Sequence, residues 1–339
     1  MIYGHIKSAS RIGIFTHANP DGDALGSSLG LAGYLGSIGK EWMIFLPDGI
    51  SENLRFMVLS DLAGRITVWT AGTEDRIREE VSRCDLLVGL DFNTPDRLGG
   101  MKGFFTESGA YKILIDHHLN PERESFCEVY SETQISSASE LLYHILKDMP
   151  EIAGDASKMT SLTRESLLTG MTTDTNNFSN SVYPSTFRMA SELIAAGTDR
   201  DAIIQKLYFN YPLRHIKSQG YILDSLLEVD PRGVAYYIID REVQKRFGLK
   251  EGDTEGFVNI PLSIDTVKMS IALKQEMEGN KVRVSIRSKK GTSAQNCAVK
   301  YFHGGGHENA AGGKLVIGED IADIKEARAY IEKVIGDFC

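Results

Sequence analysis

Cysteine is scarce. Cys84, Cys127, Cys297 and Cys339 are scattered over 339 residues, and no two form a Cys-x-x-Cys pair. That spacing argues against a disulfide framework and a cysteine-held structural zinc, and fits reduced thiols in a cytoplasmic protein. Long apolar runs are absent, and the first ten residues lack the apolar core of a secretory signal, so no membrane association is expected. Positive charge is in deficit, with 37 Lys and Arg against 46 Asp and Glu and a net charge of −9. Such a balance argues against the broad phosphate-tracking surface that long nucleic acids need. It leaves room for a small anionic substrate if metal ions or a few arginines offset the charge locally. Neither a repeat nor a low-complexity stretch is visible.

What is present is ordinary in bulk, at 42% hydrophobic and 24% charged residues, and the length points to about two domains. Short apolar segments at 12–16, 42–46, 66–69, 85–90 and 111–115 read as strands, with a further one at 126–130. Helical patterns intervene at 24–38, where Gly39 can cap the end, at 51–59 behind Ser51, and at 73–83. Strands alternating with helices predict right-handed βαβ units and a mostly parallel sheet of five or more strands flanked by helices. Helices are expected at 137–147, 158–170, 185–196 and 199–208, with another after Pro212 to about Leu227. Strand patterns return at 234–239, 267–273, 282–286 and 315–317, with helices at 293–302 and 322–335. The expected division is a domain over 1–190, a helical connector over 191–230, and a smaller α/β domain with a mixed sheet over 231–339.

The chemistry lies in how the apolar segments end. The first runs into His17, Asp21 and Asp23, the fourth into Asp91, and the fifth into Asp116-His117-His118. Asp174 follows a further apolar stretch, Leu167–Met171. Singly, each reads equally well as a capped turn or a solvated loop. Together they place acids and imidazoles along the carboxyl edge of a parallel sheet, where such folds bind ligands. Carboxylates so close together cannot all stay ionised without a counter-charge, and divalent cations are the simplest remedy. Carboxylate with imidazole suits Mn²⁺ or Mg²⁺, and in principle Co²⁺ or Zn²⁺. The number of ligands favours two ions, the arrangement that hydrolyses phosphate esters.

The motifs then resemble those of the DHH phosphoesterase superfamily, in the branch with a DHH-associated C-terminal domain. HANPDGDALGSS (17–28), VGLDFNTPDRLG (88–99), ILIDHHLN (113–120) and TGMTTDTNNF (169–178) are similar to its four metal-site motifs, and GGGHENAAGG (304–313) to the phosphate-binding loop of the associated domain. The likeness runs from His17 to Gly313, and within the family it is greatest to bifunctional enzymes that degrade very short RNA and dephosphorylate 3′-phosphoadenosine 5′-phosphate (pAp). The resemblance implies two divalent cations, Mn²⁺ foremost with Mg²⁺ or Co²⁺ as substitutes. It implies that His17, Asp21 and Asp91 hold one and Asp23, Asp91, His117 and Asp174 the other. His118 would act at the phosphoryl group, and Asp116 would orient the histidines. Arg287, Ser288, Gly304, Gly305, Gly306 and His307 would grip the substrate's terminal phosphate, with the substrate in a cleft between the domains. His303 stands where a further glycine is common. Short oligonucleotides or small nucleotides are the expected partners, and a homodimer is compatible with the family. Competing readings are a phosphodiesterase for cyclic dinucleotides or linear pApA, an inorganic pyrophosphatase, and a non-catalytic nucleotide sensor.

Overall fold

The computed structural model describes residues 2–250 and 252–338, apart from the side chain of Asp61. Cys339 lies outside the described residues, and Cys84 and Cys127 are free thiols. The chain forms two compact units, Met1–Asn210 and Tyr211–Cys339. The stretch expected as a connector is divided between them. No helix among the described residues is long and apolar enough to cross a membrane.

The first unit is built on six strands, β1 (Arg11–Thr16), β2 (Glu41–Leu46), β3 (Ile66–Val68), β4 (Leu86–Leu90), β5 (Tyr111–Asp116) and β6 (Glu128–Ser131). All pair in parallel, in the order β3-β2-β1-β4-β5-β6. Its helices are α1 (Ile2–Ser8), α2 (Gly22–Ser37), α3 (Glu74–Ser82), α4 (Lys102–Thr106), α5 (Ala138–Lys147), α6 (Ser161–Asp174), α7 (Pro184–Ala195) and α8 (Arg200–Tyr208). The strands are apolar on both faces because both are covered. Ile12, Ile14, Val88, Ile113 and Ile115 pack with residues of α2, α5 and α6. Phe15, Leu87 and Leu114 point to the opposite face, against Ile77 and Val81 of α3 and Phe105 of α4. The strand order reverses between β1 and β4, so the crevice beyond their carboxyl ends is the switch point of a doubly wound sheet.

Two local expectations are corrected. Ser51 makes no side-chain cap, and the expected helix is two 3₁₀ segments, Glu52–Met57 and Ser60–Arg65, because one turn already buries Leu54 and Met57. The helix expected over 158–170 runs on to Asp174, its last residue; helix ends are the least legible part of a periodic pattern.

The second unit holds a mixed sheet of β7 (Glu228–Asp230), β8 (Val234–Ile239), β9 (Met269–Gln275), β10 (Lys281–Ser288), β11 (Gly305–His307) and β12 (Ala310–Val316), in the order β11-β12-β10-β9-β8-β7. Only β8 and β9 pair in parallel. Its helices are α9 (Leu213–Tyr221), α10 (Arg241–Phe247), α11 (Ala294–Tyr301) and α12 (Ala327–Phe338). Val282, Val284 and Ile286 alternate into a core shared with Cys297, Phe302 and Ile331.

Candidate metal centre

Each acid or imidazole at the switch point is placed by a local device. Asp21 N-caps α2, its Oδ1 accepting the N–H of Asp23 and of Ala24 at 3.0 Å. His17 uses Nδ1 on the carbonyl of Ala18 at 2.8 Å, which leaves Nε2 facing Asp91 Oδ2 at 3.4 Å and Asp21 Oδ1 at 3.8 Å. That is the orientation of a metal-ligating imidazole tied down by its other nitrogen. Asp91 leaves β4 with φ +63°, a left-handed conformation Asp tolerates better than most residues. It is 2% exposed, and its Oδ1 accepts no hydrogen bond.

Asp23 is 1% exposed and held by the start of α5. Its Oδ2 accepts the N–H of Ala138 at 2.6 Å and its Oδ1 that of Ser139 at 2.9 Å. A carboxylate is stabilised there by unpaired N–H groups and the positive end of the helix. His117 points Nε2 at three carboxylates: Asp91 Oδ1 at 3.4 Å, Asp174 Oδ2 at 3.6 Å and Asp23 Oδ2 at 4.0 Å. Two groups of potential ligands result, His17 with Asp21 and Asp91, and Asp23 with His117 and Asp174. Asp91 spans them, one oxygen toward each. Asp91 Oδ1, a buried oxygen that accepts no hydrogen bond, and the oxygen–imidazole donor set fit divalent cations.

His118 is engaged differently. Its Nδ1 lies 2.7 Å from Asp116 Oδ1, its backbone N–H donates to Asp116 Oδ2 at 3.1 Å, and its Nε2 meets Arg97 Nη1 at 2.9 Å. Nδ1 is also 3.6 Å from Asp91 Oδ1, which groups His118 with Asp91 and His117 as a third ligand set. Asp116 is fully buried.

Electrostatics follow from this crowding. Burial opposes charge on His17, yet the bonds and fields of Asp21 and Asp91 raise its pKa to about 10. Burial likewise opposes charge on His117, and Asp91, Asp174 and Asp23 raise it to about 10. Burial and the neighbouring Asp91 push Asp23 up to about 7. Burial pushes Asp174 in the same direction. Burial would also raise Asp91, but its two histidine partners hold it well below the usual carboxylate range. In the metal-free chain the imidazoles therefore carry the compensating charge. A pKa raised on folding stabilises below the unfolded value, near 6.5 for His, and that stabilisation is lost as pH rises through about 10. The metal-free chain is thus expected to melt at progressively lower temperature from about pH 6.5 upward, and divalent metal, which must displace these protons, to reverse the trend. Thermal melts with and without Mn²⁺ across that range check this; a flat or rising metal-free curve would contradict it.

In the second unit the glycine-rich segment is a hairpin rather than an open loop. β11 is the edge strand, Gly305 opposite Gly312 and His307 opposite Ala310. Edge strands present N–H groups without a strand partner. A Cβ on Gly304 would sit 1.9 Å from the carbonyl oxygen of Gly312, so only glycine permits this approach. His303 takes φ +49°, which glycine adopts freely, and its Nε2 is 2.9 Å from Asp320. Arg287 is half-buried on the same strand face as Arg283, and its Nη1 donates to the carbonyl of Ile286 at 3.0 Å. Burial lowers the Arg287 pKa. Arg283 pairs with Glu276 at 3.2 Å. Ser288 is on the opposite face and donates its hydroxyl to Thr292 at 2.6 Å, so it is not brought together with Arg287. His307 is exposed.

Two contributors were not read from the sequence. The first turn of α5 had a legible signal, Ser137-Ala-Ser-Glu140, a capping-box pattern in which Ser137 accepts the Glu140 N–H at 3.0 Å. Arg97 had only the Thr94-Pro95 start of a helical turn; nothing local pointed to a histidine 21 residues on.

A doubly wound sheet with carboxylates and imidazoles gathered at its switch point defines a class, the metal-dependent hydrolases. Residues 11–171 match the model of the DHH family N-terminal domain and residues 232–337 that of the DHHA1 domain. The chain is similar to the bifunctional oligoribonuclease and PAP phosphatase NrnA of Thermus thermophilus, with 31% identity over 89% of this chain and 83% of that one. Similarity to the probable enzyme of the same name from Streptococcus mutans is 28% identity over 94% and 95%. The crystal structure of an exopolyphosphatase-related protein from Bacteroides fragilis superposes with TM-score 0.90 and 32% identity, over 99% of this chain and 95% of that one. The chain belongs to the DHH family of metal-dependent phosphoesterases.

Proposed function

We propose that this enzyme hydrolyses short oligoribonucleotides to mononucleotides and pAp to AMP, in the cytoplasm, with two divalent cations, Mn²⁺ foremost. The observation that carries the two-ion reading is Asp91, whose two oxygens face two separate ligand groups. In this reading His17, Asp21 and Asp91 hold one cation, and Asp23, Asp91, His117 and Asp174 the other. When bound, such a pair lowers the pKa of water and offsets charge on the phosphoryl oxygens. The chain's own residues then orient and stabilise. The N–H groups of Ala138 and Ser139 hold Asp23, and Asp116 holds His118 beside the reacting group.

The domain over 1–190 would cut, and that over 231–339, reached through 191–230, would bind the substrate's terminal phosphate. Arg287, Gly304, Gly305, Gly306 and His307 are the residues for that grip. Ser288 contributes by supporting the hairpin, through the hydrogen bond it accepts from Asn309 Nδ2 at 3.0 Å. The activities in the name of the Thermus relative support the substrate class, as does the net charge of −9, which disfavours long nucleic acid.

The test offers purified chain with Mn²⁺ four substrates in parallel: pAp, short RNA, pApA and pyrophosphate. Turnover of the first two is expected. Activity on pyrophosphate alone would overturn the reading, and activity on pApA alone would move it to dinucleotide signalling. Arg287→Ala is expected to raise KM for pAp about ten- to a hundredfold, the worth of hydrogen bonds to a charged group, with kcat little changed. Unchanged steady-state constants would remove Arg287 from the binding site.

A further inference from the structure

Arg97 is the cation at this centre that the metal-site reading leaves unused. It sits in the 3₁₀ segment Pro95–Met101, which Thr94 caps and Pro95 opens, directly after Asp91. Its carbonyl accepts the N–H of Ala18 at 2.7 Å, joining the turn after β4 to the turn after β1 across the switch point. Arginine usually finds a carboxylate. The neighbouring acid Asp96 is committed to Lys102, and Glu122, which reaches the same turn from further along the chain, accepts from Thr94 and Ser125. Among the described residues the guanidinium has one side-chain partner, Nε2 of His118 at 2.9 Å, and one imidazole ring separates it from Asp91.

That contact has a chemical consequence. A guanidinium only donates hydrogen bonds, so Nε2 of His118 must be the bare acceptor. The ring proton is then on Nδ1, donated to Asp116 at 2.7 Å. His118 is thereby fixed between Asp116 and Arg97, one ring nitrogen on each. Arg97 keeps its remaining N–H donors and its full charge at the edge of the metal centre. Those are the properties of a group that binds a phosphoryl dianion or monoanion bidentately.

We propose that Arg97 is a catalytic residue, a guanidinium that contacts the non-bridging oxygens of the phosphoryl group being cleaved and that, without substrate, caps Nε2 of His118. The chemistry explains the resting contact. Five carboxylates (Asp21, Asp23, Asp91, Asp116 and Asp174) surround the centre, so a phosphoryl group arrives in an already anionic site. A fixed cation at the reacting oxygens offsets charge that grows in the transition state. Docking on an imidazole rather than on a carboxylate keeps the guanidinium from being paired with those acids. This assignment rests on phosphoester hydrolysis at the metal centre.

The experiment compares wild type, Arg97→Ala and Arg97→Lys, using bis(p-nitrophenyl) phosphate as a generic diester and pAp as a monoester. Metal content is measured in parallel, and ¹⁵N-histidine spectra are recorded on the metal-free proteins. Arg97→Ala is expected to lower kcat about 10²–10³-fold on both substrates with metal content at the wild-type level, and added guanidinium ion to restore part of it. Arg97→Lys, which keeps charge but not the fork, is expected to recover less than tenfold of that loss. The spectra are expected to show His118 protonated on Nδ1 in wild type, with its Nε2 resonance shifted when Arg97 is removed. Turnover within threefold of wild type in Arg97→Ala would overturn the proposal. So would metal loss in proportion to activity, which would mark a structural role. If Arg97→Ala fails to fold, wild-type kcat in a folded Arg97→Lys overturns the bidentate contact. A wild-type chain inactive on every phosphoester would overturn the hydrolytic reading itself, whereas an active wild type beside an unaffected variant overturns only the Arg97 assignment.

Discussion

Asp91→Asn is expected to reduce turnover by at least about 10³-fold and to strip metal from the protein, the largest functional loss of any single substitution. The amide keeps the shape and still tolerates φ +63°, so the fold should survive. What is lost is a charged carboxylate shared by two ligand groups, Oδ2 facing His17 at 3.4 Å and Oδ1 facing His117 at 3.4 Å. In the two-ion reading, the centre that would lower the pKa of bound water is removed with its shared ligand. Metal analysis together with steady-state kinetics checks this. An Asp91→Asn protein that retains full metal and more than a tenth of wild-type turnover would refute the bridging assignment.

A large loss of stability, with loss of function, is expected from Gly26→Ala. Gly26 of α2 packs backbone to backbone on α6: an added Cβ would lie 2.6 Å from the carbonyl oxygen of Ser166 and 2.7 Å from Gly170 Cα. Backbone cannot swing away as a side chain can, so the helices must separate. Overpacking of this kind costs about 1–3 kcal/mol, occasionally more. Function suffers with it, because α2 carries Asp23 and α6 ends in Asp174. Separating the helices moves two acids of one ligand group apart. Gly4→Ala is the control: its Cβ would meet nothing within 4 Å, and alanine favours a helix by about 0.5–1 kcal/mol. Denaturant titration of both variants, with kcat measured on the folded protein, checks the pair. Equal stability of Gly26→Ala and wild type would show that the helix spacing is not set there.

Much of the fold was legible because the governing patterns are local. Unbroken apolar runs such as Leu86–Leu90 mark strands covered on both faces. Glycines at 26, 30 and 33 mark a helix that approaches another closely. Acids and histidines at the strand exits were visible for the same reason, since each lies within a few residues of the run that ends there. Where the local signal was ambiguous the reading failed. The helix expected over 158–170 runs on to Asp174, so the position of that acid at a helix end was missed. The GGGHENAAGG segment read as a loop because three glycines carry no side-chain alternation, yet pairing with β12 makes it an edge strand.

The sequence by itself determined which residue types stand where strands leave the sheet, and so the class of chemistry. It also determined that three separated segments would bring them to one edge, because a parallel sheet orders its carboxyl ends together. Only the tertiary structure decided how these residues divide their work. The N–H groups that hold Asp23 come from 115 and 116 residues away. His117 turns toward three carboxylates, whereas its neighbour His118 turns to Asp116 and Arg97. Adjacent residues leaving a strand point in different directions, and which partner each one meets depends on contacts distant in sequence, where local pattern carries no information.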